Sequence, residues 1–208
     1  MKNNVLFIIL VLILFSFYSC NNKHIDTNKI SKRDSIALSE KNQDSLAFEL
    51  CQIYGLDQGL RRSKGFSGKM KLIQKIDTFN FERIVNFVKT NGIPSEKLVG
   101  GKNFSQECVE GALGAVLLHN PHMLVNEKKH LNIFLEEVNK GNLKMETLIT
   151  VLDKYYWVKR DEFGNRKLLY GSQFGKPCKK FRRESDSVRA AIGLPPLPDS
   201  SFVDCKNQ

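Results

Sequence analysis

The sequence predicts a mainly α-helical fold, a single compact helical domain of five or six helices with a small β-hairpin near the C-terminus. Apolar residues between residues 44 and 157 recur at the three- to four-residue spacing of amphipathic helices. Glycine or proline follows several of these segments, as is usual at helix ends. Residues 167–182 lose the helical spacing and contain short, glycine-punctuated aromatic stretches, which are typical of strands.

Two helices are predicted in the N-terminal half of the domain. The first begins at Asp44, whose side chain suits the N-cap position, and its apolar residues continue to Leu56. The second covers residues 77–91, because Gly92 and Pro94 follow its last apolar turn in the usual order of a helix end.

The longest apolar segment of the domain is predicted to form its central helix, residues 103–119. Asn103 suits the N-cap position, and Gln106 follows three residues later as in a capping box. Pro121 cannot continue the helix because it has no N–H group to donate. We therefore expect His119 at the C-terminal end of a helix that is packed on most sides.

The remaining elements follow in the C-terminal half. Residues 127–139 and 145–157 are amphipathic and predict two helices. Residues 167–174 are apolar and aromatic, and we expect them to pair with residues 178–182 in the hairpin. Residues 184–192 predict a last short helix, which a glycine ends.

Residues 1–19 have the pattern of a bacterial lipoprotein signal peptide. Lys2 gives a positive start, and Val5–Phe15 is an apolar run too short to span a bilayer but suited to a signal peptide. The serine before Cys20 resembles the end of a lipobox, in which the cysteine is acylated. Two aromatic residues stand where the lipobox usually has an aliphatic and a small residue. An ordinary secretory signal or an anchor helix is the alternative.

The domain boundaries follow from this pattern. Residues 20–43 are polar, which predicts a lipidated Cys20 followed by a flexible tether. Residues 44–208 then form the helical domain. We expect an exported protein that is lipid-anchored to a bacterial membrane, on its periplasmic face or at the cell surface. Its first partner is the lipid bilayer, through the acylated cysteine.

The chain is basic, with a formal net charge of +10. A nucleic-acid partner is not expected, because an exported protein rarely meets nucleic acid. Moreover, no basic stretch is interleaved with stacking aromatic residues. The charge instead favours anionic envelope components such as lipid headgroups or cell-wall polymers.

Four further cysteines, Cys51, Cys108, Cys178 and Cys205, make an even number in a compartment that permits disulfides. Three pairings are open, and buried free thiols remain an alternative. No CxxC pair occurs, so a zinc site is not predicted. The chain contains no HExxH, Walker or GxGxxG motif, and neither a metal nor a cofactor is predicted.

An ordered set of short motifs runs through the helical domain. The motif residues are Asp57, Gln58 and Arg61; Asp77 and Asn80; Gly92, Pro94, Val99 and Gly100; His119; Tyr170–Gln173; and Arg189 with Gly193–Leu197. This set resembles a family of bacterial domains of unknown function that is common in Bacteroidetes lipoproteins. Leu118 departs from the family, which often has glutamine there, and Ser172 stands for threonine. The match covers about residues 45–198 and implies a shared fold and pocket, but no established activity.

Polar residues of these motifs are candidates for one site. His119 and Asp57 are the catalytic candidates, the imidazole as a base and the carboxylate as its orienting group. The candidates for binding are Gln58, Arg61, Tyr170, Gln173 and Arg189.

No nucleophile is evident, since Ser172 lacks a GxSxG context and Cys178 is also a disulfide candidate. A buried hydrogen-bond network that joins the helices is the structural alternative. The leading prediction is a cell-envelope lipoprotein that acts as a binding or interaction module. The alternative is a hydrolase or transferase with a His119-centred site, so whether the protein is an enzyme stays open.

Overall fold

The computed structural model describes the backbone of residues 27–206 and side chains from residue 39. The predicted signal peptide (residues 1–19) and the predicted lipidation at Cys20 lie outside the described residues. Contacts divide the chain into two units after Glu40, and the fold below is that of the unit beginning at Lys41. None of the helices between residues 27 and 206 has the length and apolarity needed to cross a bilayer.

The described residues form ten α-helices and two short 3₁₀-helices, which confirms the mainly helical fold. The predicted number of five or six helices is wrong, because short helices separate the long ones. In chain order the α-helices are α1 (Thr27–Arg62), α2 (Lys69–Asn91), α3 (Glu96–Val99), α4 (Gly101–Phe104), α5 (Glu107–Glu110), α6 (Ala112–His119), α7 (Pro121–Asn126), α8 (Lys128–Asn139), α9 (Met145–Trp157) and α10 (Arg182–Ala190). The 3₁₀-helices are Lys179–Phe181 and Asp199–Ser201.

The first helix begins earlier than predicted. We expected a flexible tether up to residue 43 and a helix from Asp44, but α1 already begins at Thr27. Residues 27–43 contain no glycine and no proline, so nothing in them interrupts helical geometry once the helix has formed. The helix expected from Asp44 therefore begins earlier, within the segment that was predicted as a tether.

The predicted central helix is divided into α4, α5 and α6. Gln106 adopts an extended conformation between α4 and α5, and Asn103 donates to Asp44 and to Val99 instead of capping a helix. The predicted capping box is therefore wrong. A Cβ atom at Gly111, between α5 and α6, would lie only 2.9 Å from the ring of Tyr54, so glycine permits α1 to approach closely there.

The hydrophobic core surrounds α6, as predicted for the central helix. α2 packs against α6 and α8, and α9 packs against α6 and α7. Val116 and Leu117 of α6 are buried together with Phe81, Phe87 and Phe134 from α2 and α8. The apolar faces expected from the sequence therefore meet in one core.

The predicted C-terminal hairpin is not present. The described residues contain no strands, only isolated bridges between Arg160 and Arg166 and between Cys178 and Val203. The N–H groups of Leu169 and Tyr170, which a hairpin would use, donate instead to the carboxylate of a residue on α9. A buried side chain has replaced the partner strand.

Two disulfides close the domain. One joins Cys51 on α1 to Cys108 on α5, and the other joins Cys178 to Cys205 near the C-terminus. Of the three possible pairings, the structure has the one that links neighbours in the fold, and it leaves no free thiol among these four cysteines.

Candidate functional site

The centre of the candidate site is the side-chain pair of His119 and Asp57. His119 is the last residue of α6, which ends there because Asn120 leaves helical geometry and Pro121 follows. Its Nδ1 lies 3.0 Å from Oδ1 of Asp57, a residue of α1 that is 62 positions away in sequence. The pair therefore joins two elements that only the tertiary fold brings together.

The carboxylate of Asp57 is fully buried and fully hydrogen-bonded. Arg61 Nη1 donates to Oδ1 at 2.9 Å, and Gln58 Nε2 donates to Oδ2 at 2.8 Å. A buried carboxylate needs such partners because removing it from water is otherwise costly. Asp57 and Arg61 thus form a local ion pair one turn apart on α1.

Arg61 extends the cluster to α2. Its Nη2 donates to Oδ1 of Asp77 at 2.7 Å, while Nη1 also donates to the backbone carbonyl of Asp57. The side chain of Asp77 is 15% exposed, and that of Arg61 is 23% exposed. The five residues Asp57, Gln58, Arg61, Asp77 and His119, which we call the His119 cluster, thus join α1, α2 and α6.

The exposed edge of the cluster is the imidazole of His119, whose side chain is 30% exposed. An ionised carboxylate can only accept hydrogen bonds, so Nδ1–H donates to Asp57, and the neutral form of the ring is the Nδ1–H tautomer. Nε2 then carries a lone pair, and it makes no hydrogen bond with any described residue. This nitrogen can accept a hydrogen bond from a ligand or take up a proton.

No protein-family model, curated protein or solved structure matches this chain. The resemblance found in the motifs thus stays a prediction, and what the site can do rests on its geometry.

The structure does not bring all predicted site residues together. Tyr170, Gln173 and Arg189 share no hydrogen bond or ion pair with the His119 cluster in the described part of the chain. Arg189 donates instead to the backbone carbonyls of Tyr170 and Pro195. Burial lowers the pKa of this guanidinium, which the carbonyl groups hold in place.

The C-terminal residues form a separate network around Asp153 on α9. The carboxylate of Asp153 is fully buried and accepts hydrogen bonds from the N–H groups of Leu169, Tyr170 and Ser172, at 2.8–2.9 Å. Ser185 on α10 donates to the carbonyl of Leu169. We call these residues, with Arg189, the Asp153 network. It holds the loop that follows α9 and the segment Gly193–Leu197 that follows α10.

Gly171 has a role in that network that its motif did not reveal. Its φ of 75° lies in the left-handed region, and a Cβ atom there would lie 2.8 Å from the side chain of Leu197. Only glycine fits both constraints without displacement. The Tyr170–Gln173 and Gly193–Leu197 motifs are therefore explained by packing against each other.

Asp153 was missed by sequence reasoning, although a signal was present. It lies four residues after Ile149 and three before Tyr156, within the apolar stripe of α9. An acidic residue in such a stripe must be buried with partners or interrupt the face. The partners are backbone N–H groups, which the residue types of the loop do not reveal.

The candidate nucleophiles do not lie beside His119. Cys178 is disulfide-bonded, and Ser172 belongs to the Asp153 network, where its Oγ accepts from Phe174. The other described histidines are also apart: His122 is exposed, and the ring of His130 packs on Phe81 at 5.0 Å. No group of acids, histidines or cysteines in the described residues has the arrangement of a metal site.

Gln173 lines a cavity of about 320 Å³ with Gly114 and Leu118 of α6 and residues of α9. Leu118 is turned about 100° around the helix from His119, so the cavity and the His119 cluster face different directions. The predicted convergence of Gln173 with His119 is not found.

Proposed function

We propose that this protein is an exported, lipid-anchored protein of the bacterial cell envelope whose helical domain binds a ligand or partner at the His119 cluster. The pattern of residues 1–20 supports export and acylation at Cys20. The two disulfides support an oxidising compartment, because such bonds persist mainly in exported proteins.

The observation that carries the binding proposal is Nε2 of His119, which has no hydrogen-bond partner among the described residues and belongs to a partly exposed side chain. Asp57 fixes the ring orientation, and the folded domain fixes Asp57, so the acceptor is held ready before a ligand arrives. A pre-organised acceptor loses little conformational freedom on binding. We expect the ligand to present a hydrogen-bond donor, such as a hydroxyl, amine or amide group.

The guanidinium of Arg61 is already paired with carboxylates, and this pairing limits the chemical class of ligand that the cluster can bind. Both terminal nitrogens of Arg61 bind carboxylates of the cluster, one on Asp57 and one on Asp77. The guanidinium is therefore not available for a bidentate contact with an anionic ligand. A neutral or cationic ligand suits the cluster better than an anionic one.

A second candidate is a hydrolase or transferase in which His119 is a general base. A carboxylate on Nδ1 with Nε2 facing outward is the arrangement that general-base catalysis uses. The attacking group would be a water molecule or a substrate hydroxyl, because the candidate nucleophiles of the chain lie elsewhere. Binding is the leading proposal because Arg61 and Gln58, whose N–H groups could otherwise stabilise a developing oxyanion, are both bonded to Asp57.

A thermal-shift screen with and without the histidine tests the proposal. The library would contain sugars, amino acids, short peptides and cell-wall fragments. The variants are His119→Gln and, as a matched control, His122→Gln, which changes an exposed histidine near the same helix end.

We expect a compound that raises the Tm of the wild type and of His122→Gln but not that of His119→Gln. An equal rise in Tm for the wild type and both variants would contradict binding at His119. Turnover of the compound by the wild type, lost in His119→Gln, would instead support the enzyme.

A further inference from the structure

The tip of the α1–α2 hairpin has an unusual charge distribution. Residues 58–76, which we call the hairpin tip, lie between Asp57 and Asp77 and contain no acidic residue. Six of them are basic: Arg61, Arg62, Lys64, Lys69, Lys71 and Lys75. The tip is therefore the acid-free, cationic end of the helical hairpin.

Several of these cations are not neutralised within the domain. Lys64, Lys71 and Lys75 form no ion pair in the part of the chain that the structure describes. Arg62 has only a distant contact of 3.5 Å with the exposed Glu107. Their field therefore projects into solvent, where it attracts anionic surfaces.

Large apolar side chains are exposed among these cations. Phe66 is 50% exposed, Met70 66% and Leu72 39%. Outside the tip, Leu56 on α1 and Phe79 on α2 are exposed as well, at 40% and 53%. Large exposed apolar side chains among cations mark the tip as a candidate interaction surface.

Hydrogen bonds join the two sides of the loop between α1 and α2. Ser63 N–H donates to Gly59, and Lys69 N–H donates to Phe66. The Lys69 ammonium also bonds the carbonyl of Ser63 at 2.6 Å. The Lys69 contact joins the residue after α1 to the start of α2, so the loop that carries Phe66 is closed at its base.

We propose that the hairpin tip is a membrane-contact surface for an anionic lipid bilayer. Phe66 and Met70 enter the headgroup region, while Lys64, Lys71 and Lys75 contact lipid phosphates. Only a surface that is both anionic and apolar beneath its charges matches the two features together. A second copy of the chain does not match, because it would bring two cationic tips together. This contact does not require His119 to bind anything.

Vesicle co-sedimentation tests the contact with the chain from residue 21 onward. This chain retains every described residue but has no acylation site, so its binding reports the domain surface alone. It is mixed with vesicles of phosphatidylcholine or of phosphatidylcholine and phosphatidylglycerol. We expect binding to the anionic vesicles only, and weaker binding as salt rises.

Two variants separate charge from apolar insertion. Replacing Lys64, Lys71 and Lys75 with glutamine should weaken binding about a hundredfold, at roughly fivefold for each lysine. Replacing Phe66 and Met70 with serine should weaken it about tenfold or more at unchanged net charge. The matched control replaces three exposed lysines outside the tip, Lys97, Lys102 and Lys144, with glutamine.

The outcomes decide between membrane contact and other occupants. Equal losses in the tip and control lysine variants would show that only net charge matters and would overturn the proposal. So would unchanged binding in the Phe66 and Met70 variant, which would indicate a polyanion site, or no binding to anionic vesicles at all. A dimer in solution that this same variant dissociates would assign the patch to a second copy and also overturn the proposal.

Discussion

Replacing Asp153 tests whether one buried carboxylate holds the C-terminal loop. In the native domain its two oxygens accept three backbone N–H groups, those of Leu169, Tyr170 and Ser172. A hydrogen bond to a charged group contributes about 1.5–3 kcal/mol. Asp153→Ala leaves the three donors without their acceptor, so the free energy of unfolding should fall by about 4 kcal/mol or more.

The isosteric change Asp153→Asn should lower the free energy of unfolding less than the change to alanine. Asp153→Asn keeps one oxygen for Leu169 and Tyr170 but sets an amide group against the N–H of Ser172, so we expect a loss of about 2 kcal/mol. Urea unfolding followed by circular dichroism measures both variants, and amide exchange at Leu169 and Tyr170 should accelerate in the alanine variant. Glu146→Ala changes an exposed acid on the same helix and is the control. A fall in the free energy of unfolding of less than about 1 kcal/mol for Asp153→Ala would show that this carboxylate does not hold the loop.

Three further predictions concern acid stability, core packing and cross-linking. The salt bridge from Lys180 holds the pKa of Asp161 below its usual value. The stability that this pair contributes should therefore be present above about pH 4 and be lost as the pH falls. Asp161→Asn should flatten this part of the profile of unfolding free energy against pH, and an unchanged profile would contradict the prediction. Phe134→Ala empties a fully buried site and should cost about 3–5 kcal/mol in urea unfolding, whereas a cost near that of a surface change would show that the core is not closed there. Replacing Cys51 and Cys108 together with alanine opens a loop of 57 residues and should cost about 4 kcal/mol, and unchanged stability would count against this cross-link.

Helical spacing predicted the elements that bury a continuous apolar face. α9 has the predicted bounds, 145–157, and α2 ends at Asn91 as Gly92 and Pro94 indicated. These faces are visible in sequence because burial selects apolar residues at a helical period. The interruption of the central helix was not visible, because it depends on the extended Gln106 and on the approach of Tyr54 to Gly111.

Only those contacts of the candidate site that join near neighbours in sequence, or residues of one motif set, were predictable from the sequence. Asp57, Gln58 and Arg61 lie within two turns of α1, so their mutual contacts are local. The contact of Asp57 with His119 depends on tertiary packing. The order of the motifs suggested this contact, but residue spacing does not specify it. The predicted hairpin failed because strand-like residues give no indication that a distant carboxylate will bind their N–H groups. The separation of Tyr170, Gln173 and Arg189 from the His119 cluster was not visible in the sequence for the same reason.

The proposed function depends on Asp57 holding His119 with its Nε2 free for a ligand. Nuclear magnetic resonance of the nitrogen-labelled imidazoles measures this directly, because it distinguishes the protonated from the unprotonated ring nitrogen. We predict a proton on Nδ1 of His119 and an Nε2 signal that moves when a stabilising compound from the screen is added, while the signal of His122 stays. A proton on Nε2, or an Nε2 signal that no such compound moves, would contradict it.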